Sequence, residues 1–355
     1  MTDGALLRYN ELSSTIEGMG FKKNPYDLCS YTHTLSGNTC NILVYVDDLL
    51  ITSTAAKDLT TLKTKYSGVT TNEGLTHDYL GIHWDFSEPA QVSLAMNGYV
   101  QDVLNKFPPP PGATTAASNA LFTVSPGSTP LPKTAREHYH SAFMTLHYLA
   151  KRVRPDILTA VSFCATRVLA PTVEDQQKLD RILGYLSVTA TQKLILRIGE
   201  KVALRAYVDS SFGTYEDCKS VTGAVIMLGN APVYFKSSKQ KIVTRSSTEA
   251  ELVGISDSLS QVLWTREYLI RQGIPMGPAI LYQDNKSSIF LADKGRSTSE
   301  RTRHIKIRYF FISHYVASRE IVIEYMPTNQ MIADILTKSL HGSLFYDMRA
   351  AITGN

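Results

Sequence analysis

The chain has 355 residues, of which 43% are hydrophobic and 19% charged, and its formal net charge is +4. These values are typical of a soluble globular protein with room for two or three domains, and the small net charge does not by itself indicate a nucleic-acid partner. No apolar run is long enough to span a bilayer, the first residues do not resemble a signal peptide, and the four cysteines lack zinc-site spacing, which argues against a membrane, secreted or zinc-finger protein.

The first predicted section covers residues 1–107. Its clearest pattern is NILVYVDDLLITS, in which two apolar, β-rich runs flank Asp47 and Asp48. Such runs around a short polar pair predict a β-hairpin. A helical stretch, AAKDLTTLKTKYS, and a further strand in DYLGIHWDF are predicted to follow.

Residues 108–192 combine an irregular connector with helices. The segment PPPPGATTAASNALFTVSPGSTPLP is nearly uncharged and rich in Pro, Thr, Ala and Ser. This composition predicts a connector that lies over a surface rather than building a core. Helical patterns follow from Thr134 to about Thr191, with Pro155 and Pro171 at the breaks between helices, where proline is tolerated.

The third section, residues 193–345, begins with three short strands in LRAYVD, VTGAVIML and PVYFKSS. An amphipathic helix and an alternation of helices and strands follow, in the order β-β-β-α-β-α-α-β-α, closing with a helix around MIADILTKSL. This order predicts an α/β fold, with a mixed sheet flanked by helices and an antiparallel meander on one side. Residues 346–355 are predicted to be a tail.

Four acidic residues of this section stand where a predicted strand ends or a helix begins. They are Asp209 in AYVDSSFG, Glu251 in SSTEAEL, Asp284 in LYQDNKSS and Asp334 in QMIADILTK. Acids at such positions can converge in space, and convergent carboxylates repel one another unless a cation lies among them. Hard oxygen ligands favour Mg²⁺, with Mn²⁺ as a substitute, so the pattern predicts a metal-dependent phosphodiesterase site.

Each of these acids also has a purely structural interpretation. Glu251 follows Thr248 at capping-box spacing, and Glu249 follows Ser246 in the same way, so the sequence does not decide which glutamate is the ligand. Asp284 could cap a helix, and Asp209 could begin a turn. Asp334, in an apolar helical pattern, is harder to explain structurally.

The surrounding motifs resemble the ribonuclease H domain of Ty1/copia-type retrotransposon polyproteins. The likeness extends over residues 200 to 345 through AYVDSSFG, KSSKQKIVTRSSTEAEL, YQDNKSSIFLA, SERTRHIKIRYFFI and PTNQMIADILTKSL. It implies an RNase H-like mixed sheet that cleaves the RNA strand of an RNA/DNA hybrid with two Mg²⁺ ions. The family's carboxylates would fall on Asp209, Glu251, Asp284 and Asp334.

The YVDD box resembles the metal-binding hairpin of reverse transcriptases. Asp47 and Asp48 would hold a metal against a primer-template, DYLGIHWDF resembles the primer-gripping hairpin, and LAKRVRPDILTAVSF resembles the region joining polymerase and RNase H. In the family the fingers and a further palm aspartate precede these segments. Residues 1–107 are therefore expected to be a partial α+β palm, and the chain to be a truncated copy without polymerase activity.

Polar and basic residues near the acids are candidate contacts to a nucleic acid. Phosphate and 2′-hydroxyl groups of a hybrid duplex suit such side chains. The candidates are Ser238, Lys239, Gln240, Arg245, Ser247, Arg303 and His304. A solvated loop is the competing interpretation for any one of them.

Two other functions compete with a nuclease that acts on RNA/DNA hybrids. The first is a catalytically silent nucleic-acid-binding remnant of a decayed element. The second, a transposase or integrase, is disfavoured because those enzymes need the order Asp, Asp, Glu. The resemblance further implies association with a full-length element polyprotein and a location in cytoplasmic virus-like particles or the nucleus.

Overall fold

The computed structural model describes residues 3–35, 37–46, 48–54, 60, 64, 72–199, 202–294 and 306–355. Three candidate site residues, Asp47, Arg303 and His304, lie outside these ranges, as does most of the helix predicted over 55–67. The chain divides into two units. Unit 1 comprises Met1–Leu80 and Leu263–Met276, and unit 2 comprises Gly81–Val262 and Gly277–Asn355.

Unit 1 contains helix α1 (Asp3–Gly18) and an antiparallel sheet in the order β1-β2-β3-β4. The strands are β1 (Lys22–Asn24), β2 (Asp27–Leu35), β3 (Asn38–Tyr45) and β4 (Asp48–Ser53), and a short strand, β5 (Thr76–Tyr79), follows. Apolar side chains alternate along β3, where Ile42 and Val44 are buried with Ile16 of α1. The strands predicted on either side of the aspartate pair are β3 and β4.

Unit 1 also contains the last part of helix α6 (Ser247–Arg271). The Trp264 indole N–H donates to the Tyr26 carbonyl at 3.1 Å, and the Asn24 amide donates to the Tyr268 carbonyl at 3.0 Å. The Tyr268 hydroxyl donates to the Ser30 hydroxyl at 3.2 Å. These bonds attach the end of α6 to residues of β1 and β2 and to the turn between them. The sequence predicts this helix to lie wholly in the third section, but its residues from Leu263 onward belong to unit 1.

The larger sheet of unit 2 has five strands in the order β11-β10-β9-β12-β13. They are β9 (Leu204–Ser211), β10 (Lys219–Leu228), β11 (Ala231–Val243), β12 (Ala279–Gln283) and β13 (Ile321–Tyr325). β9, β10 and β11 form an antiparallel meander, while β12 is parallel to both β9 and β13. This is the predicted mixed α/β sheet, with helices α7 (Lys286–Lys294) and α8 (Lys306–Ala317) between β12 and β13.

A second antiparallel sheet of unit 2 joins distant parts of the chain. Its strands β6 (Ile82–Asp85), β7 (Gln91–Ala95) and β8 (Leu194–Arg197) pair in that order. Between β7 and β8 lie helices α2 (Asn97–Lys106), α3 (Lys133–Arg152), α4 (Leu158–Ala165) and α5 (Val173–Val188). A 3₁₀ turn with Pro155 at its first position precedes α4.

One continuous core joins the helical region and the five-stranded sheet of unit 2. Phe143 of α3, Phe163 of α4 and Ile182 of α5 belong to the same buried cluster as Val225 of β10 and Phe235 of β11. The boundary predicted at residue 192 therefore does not separate two cores, because the apolar faces of these helices are covered by the sheet.

Two segments are more ordered than the sequence predicts. Leu121 and Ala116 of the connector are buried in the core, although composition predicted a segment lying over a surface. The expected tail forms most of helix α9 (Gly342–Thr353), in which Met348 and Ile352 are buried. In both cases isolated apolar residues pack into the common core of unit 2, which local composition does not predict. None of the helices in the described ranges is both long and apolar enough to cross a bilayer.

Candidate functional site

Asp209 and Asp284 reach one point because their strands are parallel neighbours. Asp209 lies near the carboxyl end of β9, and Asp284 directly follows β12. The register pairs Tyr282 with Tyr207, so that continuing it by two residues brings position 284 level with position 209. Asp209 is buried and Asp284 half-buried. Carboxyl ends of parallel strands are a common place for side chains that bind ligands.

Glu251 reaches the same point from the second turn of α6. A Cβ added to Gly254 would lie 2.4 Å from the Ser210 hydroxyl oxygen, so the glycine allows the helix to approach β9 closely. The Ser210 backbone N–H donates to Glu251 Oε1 at 3.2 Å. The Gln283 amide donates to Glu251 Oε2 at 3.1 Å. Both carboxylate oxygens are therefore held in place.

Glu249, the alternative left open by the sequence, has a different task. Its backbone N–H donates to the Ser246 hydroxyl at 3.2 Å, and its carboxylate accepts from the Arg245 backbone N–H at 2.8 Å. This arrangement resembles a capping box and satisfies backbone donors at the start of α6. The geometry therefore separates the capping glutamate from Glu251.

Asp209, Glu251 and Asp284 each offer a carboxylate oxygen, and these oxygens lie within 4.8 Å of one another. The side chains around them fix their orientation. The side-chain oxygen Oε1 of Gln283 accepts from the backbone N–H groups of Asp284 and Asn285, and the Thr328 hydroxyl donates to Asp284 Oδ2 at 2.8 Å. Hard oxygen donors at this spacing fit an ion such as Mg²⁺ or Mn²⁺.

Asp334 lies in a short 3₁₀ helix, Ile332–Leu336, rather than in the predicted longer closing helix. Within the described ranges it is not part of the three-acid cluster. Its Oδ1 accepts from the Lys338 ammonium at 2.8 Å, and the same ammonium lies 3.6 Å from Asp209 Oδ2. The Thr337 hydroxyl also donates to Asp209 Oδ2.

Gly223 of β10 lets this 3₁₀ segment approach the sheet. It pairs with Asp209 across the ladder, and a Cβ there would lie 2.6 Å from Thr337 Cγ2 and 2.9 Å from the Ala333 carbonyl oxygen. A side chain at this position would therefore push the segment away from Asp209.

The electrostatics of the site are those of crowded, buried carboxylates. Burial, together with Asp284, raises the pKa of Asp209, although Lys338 and Thr337 act in the opposite direction. Burial and the neighbouring Asp209 raise the pKa of Glu251 well above its usual range. Burial and Asp209 also raise the pKa of Asp334 to about 7, with Lys338 opposing the shift. Lys338 offsets only part of this negative charge, and a divalent cation would offset more of it.

Comparison with known proteins identifies relatives of the whole chain. The Retrovirus-related Pol polyprotein from transposon RE1 of Arabidopsis thaliana is 32% identical over 353 residues, which are 97% of this chain and 24% of that protein. The corresponding polyprotein from transposon RE2 is 31% identical with the same coverage. The Transposon Ty1-JR1 Gag-Pol polyprotein of Saccharomyces cerevisiae is 24% identical and matches 84% of this chain and 18% of that protein. The chain belongs to the Ty1/copia-type Pol polyproteins.

This copia-type Pol chain spans about a quarter of the length of the RE1 and RE2 polyproteins. No family model matches it. Among solved structures, LC11-RNase H1 aligns with 39% of this chain and 94% of its own, at 16% identity and a TM-score of 0.31.

The predicted nucleic-acid contacts of the copia-type chain fall into two groups. Gln240 is buried, and its amide donates to the Ala250 carbonyl at 2.9 Å and the Thr222 hydroxyl at 3.0 Å, so it ties β11 to α6 instead of facing a substrate. Lys239 is half-buried, and its ammonium lies 2.9 Å from Asp217 Oδ2.

The other described candidates are accessible. Arg245 and Ser247 are exposed at the start of α6, and Ser238 is partly exposed on β11. These three positions stay predicted contacts to a hybrid.

The hairpin that resembles the polymerase site lies in unit 1. Tyr45 and Asp48 are cross-strand partners at its tip, and Asp48 is exposed. Val46 has φ 54, a left-handed conformation that a β-branched residue rarely adopts. Since Asp47 lies outside the described ranges, metal binding by this aspartate pair stays a prediction.

Sequence reasoning overlooked four residues that orient the acids: Gln283, Thr328, Thr337 and Lys338. One of them carried a local signal, because Lys338 follows Asp334 at the i,i+4 spacing typical of ion pairs in helices. Thr337 and Thr328 carried none, since their partners, Asp209 and Asp284, are far away in the sequence.

Proposed function

We propose that this chain hydrolyses the RNA strand of RNA/DNA hybrids, with Asp209, Glu251 and Asp284 as metal ligands and Asp334 completing the catalytic set. The observation that carries the proposal is the convergence of three carboxylates from β9, α6 and the end of β12 within 4.8 Å. The relationship to Pol polyproteins supports a substrate that arises during reverse transcription. The order Asp, Glu, Asp, Asp along the chain agrees with the motifs of the RNase H domain.

The residues of the chain have distinct tasks in this proposal. Asp209, Glu251 and Asp284 hold Mg²⁺, and Gln283 and Thr328 fix the rotamers of two of these ligands. Divalent ions at such a site supply an activated water and stabilise the charge that develops on the leaving oxygen, and the two-ion form of this chemistry is the one we propose. Burial of Asp209 and Glu251 limits access of bulk water and strengthens their electrostatic influence.

Contacts to the duplex backbone would come from the exposed side of β11 and the start of α6. Arg245, Ser247 and Ser238 carry donors suited to phosphate and 2′-hydroxyl groups, which report the shape of a hybrid rather than its sequence. We therefore propose binding that depends strongly on salt and weakly on base composition.

A cleavage assay on an end-labelled RNA/DNA hybrid with Mg²⁺ tests the proposal. We expect the chain to cut the RNA strand, Asp209→Asn to lose at least about a hundredfold in rate, and chelation of the metal to stop cleavage. Asp180→Asn is the matched control, because Asp180 accepts a bond from Gln176 of the same helix, α5, and its substitution should leave the rate unchanged.

Equal rates for the native chain and Asp209→Asn would contradict the proposal. Hybrid binding without cleavage in the native chain would instead indicate a catalytically silent nucleic-acid-binding remnant.

A further inference from the structure

Lys338 occupies an unusual position among the four acids. Its ammonium lies 2.8 Å from Asp334 Oδ1 and 3.6 Å from Asp209 Oδ2. Lys338 therefore contacts Asp209, which belongs to the three-acid cluster found among the described residues, and Asp334, which does not. A lysine in this place supplies a positive charge where two carboxylates would otherwise face each other.

The surroundings of Lys338 make this contact specific. Thr337, its neighbour, donates a hydrogen bond to the same Asp209 oxygen, Oδ2. The segment carrying both residues approaches β10 only because position 223 is a glycine. One short segment therefore supplies both a hydroxyl donor and an ammonium ion to the same oxygen of Asp209.

The chemistry of lysine suits a removable counter-ion. An ammonium is a compact point charge on a flexible four-carbon stem. The Lys338 side chain is 37% exposed, whereas the side chains of Asp209 and Asp334 are 3% and 8% exposed. The ammonium can therefore leave for solvent while the two carboxylates stay in place.

We infer that Lys338 is a built-in competitor for the second metal ion: its ammonium occupies the space between Asp334 and Asp209, and that ion binds only when the lysine swings away. This inference rests on the proposed metal-dependent function. The first ion, held by Asp209, Glu251 and Asp284, binds without this displacement. Lys338 then makes full metal loading depend on the concentration of the ion, which is a regulatory property of the site.

Titration of the metal-free full chain with Mn²⁺ tests the inference, with heat of binding and the loss of the free-ion paramagnetic resonance signal as readouts. We expect two ions of unequal affinity in the native chain. In Lys338→Met the dissociation constant of the weaker ion should fall by about tenfold, a typical effect for a residue that acts on metal ligands, while that of the stronger ion changes less. Lys338→Arg keeps the charge and should resemble the native chain.

Lys178→Met is the matched control. Lys178 also pairs with a buried aspartate, Asp175, at 3.4 Å on helix α5, and it contacts none of the four acids. We expect no change in either dissociation constant. Thermal unfolding of each variant verifies folding, and Lys338→Gln replaces Lys338→Met if the latter does not fold.

The possible outcomes separate this inference from the proposed function. Two ions with unchanged affinities in Lys338→Met and Lys338→Gln would overturn the competitor role but leave the nuclease proposal standing. A weaker second ion in these variants would overturn it as well, since it would show that Lys338 assists loading. A native chain that binds no Mn²⁺ would overturn both.

Discussion

Glu249 and Glu251 are two residues apart on one helix and have different structural roles. The Glu249 carboxylate accepts from the backbone N–H of Arg245, two residues before α6 begins, and so fixes the entry of the chain into the helix. The Glu251 carboxylate is directed to β9 and accepts from Ser210 and Gln283. A rotation of about 100° per residue along a helix places these neighbouring glutamates on different faces.

This difference predicts opposite results for two equivalent substitutions. Glu251→Gln removes a ligand charge and should lower hybrid cleavage by about a hundredfold or more. Glu249→Gln keeps an acceptor oxygen at the cap, so cleavage should stay within a few-fold of the native rate. Cleavage rates and thermal unfolding of both variants verify this, and loss of cleavage in a folded Glu249→Gln chain would reverse the assignment.

At the scale of elements, the candidate site is assembled where two pairs of elements approach unusually closely. α6 reaches β9 over Gly254, and the 3₁₀ segment with Asp334 reaches β10 over Gly223. Neither glycine lies at a left-handed turn, so the absence of a side chain, rather than backbone freedom, is what the fold uses. The spacing of the acids therefore depends on residues that carry no chemistry.

Gly223→Ala tests this dependence. The added methyl group meets Thr337 and Ala333 and should displace the Asp334 segment, lowering the free energy of unfolding by about 1–3 kcal/mol and reducing cleavage. Gly277→Ala is the control, because a Cβ there has no atom within 4 Å. Chemical denaturation and the cleavage assay measure the two effects, and a native-like Gly223→Ala chain would show that the close approach is not needed.

At the scale of the whole molecule, a buried polar network fastens the helices of unit 2 together. The Arg154 guanidinium donates to Asp156 at 2.9 and 2.8 Å and to the Thr189 carbonyl at 2.9 Å. The Tyr185 hydroxyl donates to Asp156 at 2.7 Å, and Arg349 of α9 donates to Tyr185 at 3.2 Å. Because the helices and the five-stranded sheet share one core, removing a member of this network should destabilise the whole of unit 2.

Asp156→Asn should lower the free energy of unfolding by about 3–5 kcal/mol, because it leaves the buried Arg154 charge uncompensated. Burial by itself would raise the pKa of Asp156, but Arg154 overrides it and holds this pKa below its usual range. The stabilisation is therefore complete above the unfolded pKa of roughly 4 and is lost as the pH falls through the lower folded value.

Denaturant unfolding between neutral and acid pH measures both effects. The native chain should lose stability on acidification more steeply than Asp156→Asn. Asp85→Asn, which removes one partner of the surface pair with Lys193, should change little. Equal stability of Asp156→Asn and the native chain at neutral pH would contradict the proposed role of the network.

Several features of this protein are determined by the sequence itself. The apolar alternation of β3, the strand and helix order of residues 204–325 and the motifs around Asp209, Glu251, Asp284 and Asp334 all depend on local pattern. Local patterns suffice here because side-chain periodicity and turn residues act over a few positions.

Only the tertiary structure decides what those elements do together. It separates Glu251 from Glu249, buries Gln240, joins the helical region and the sheet in one core and places Lys338 between Asp334 and Asp209. Each of these results depends on contacts between residues far apart in the chain, or on which face of an element is covered. The residue pattern along the chain does not specify such contacts, which is why it left Glu249 and Glu251 open and could not give the arrangement of the acids.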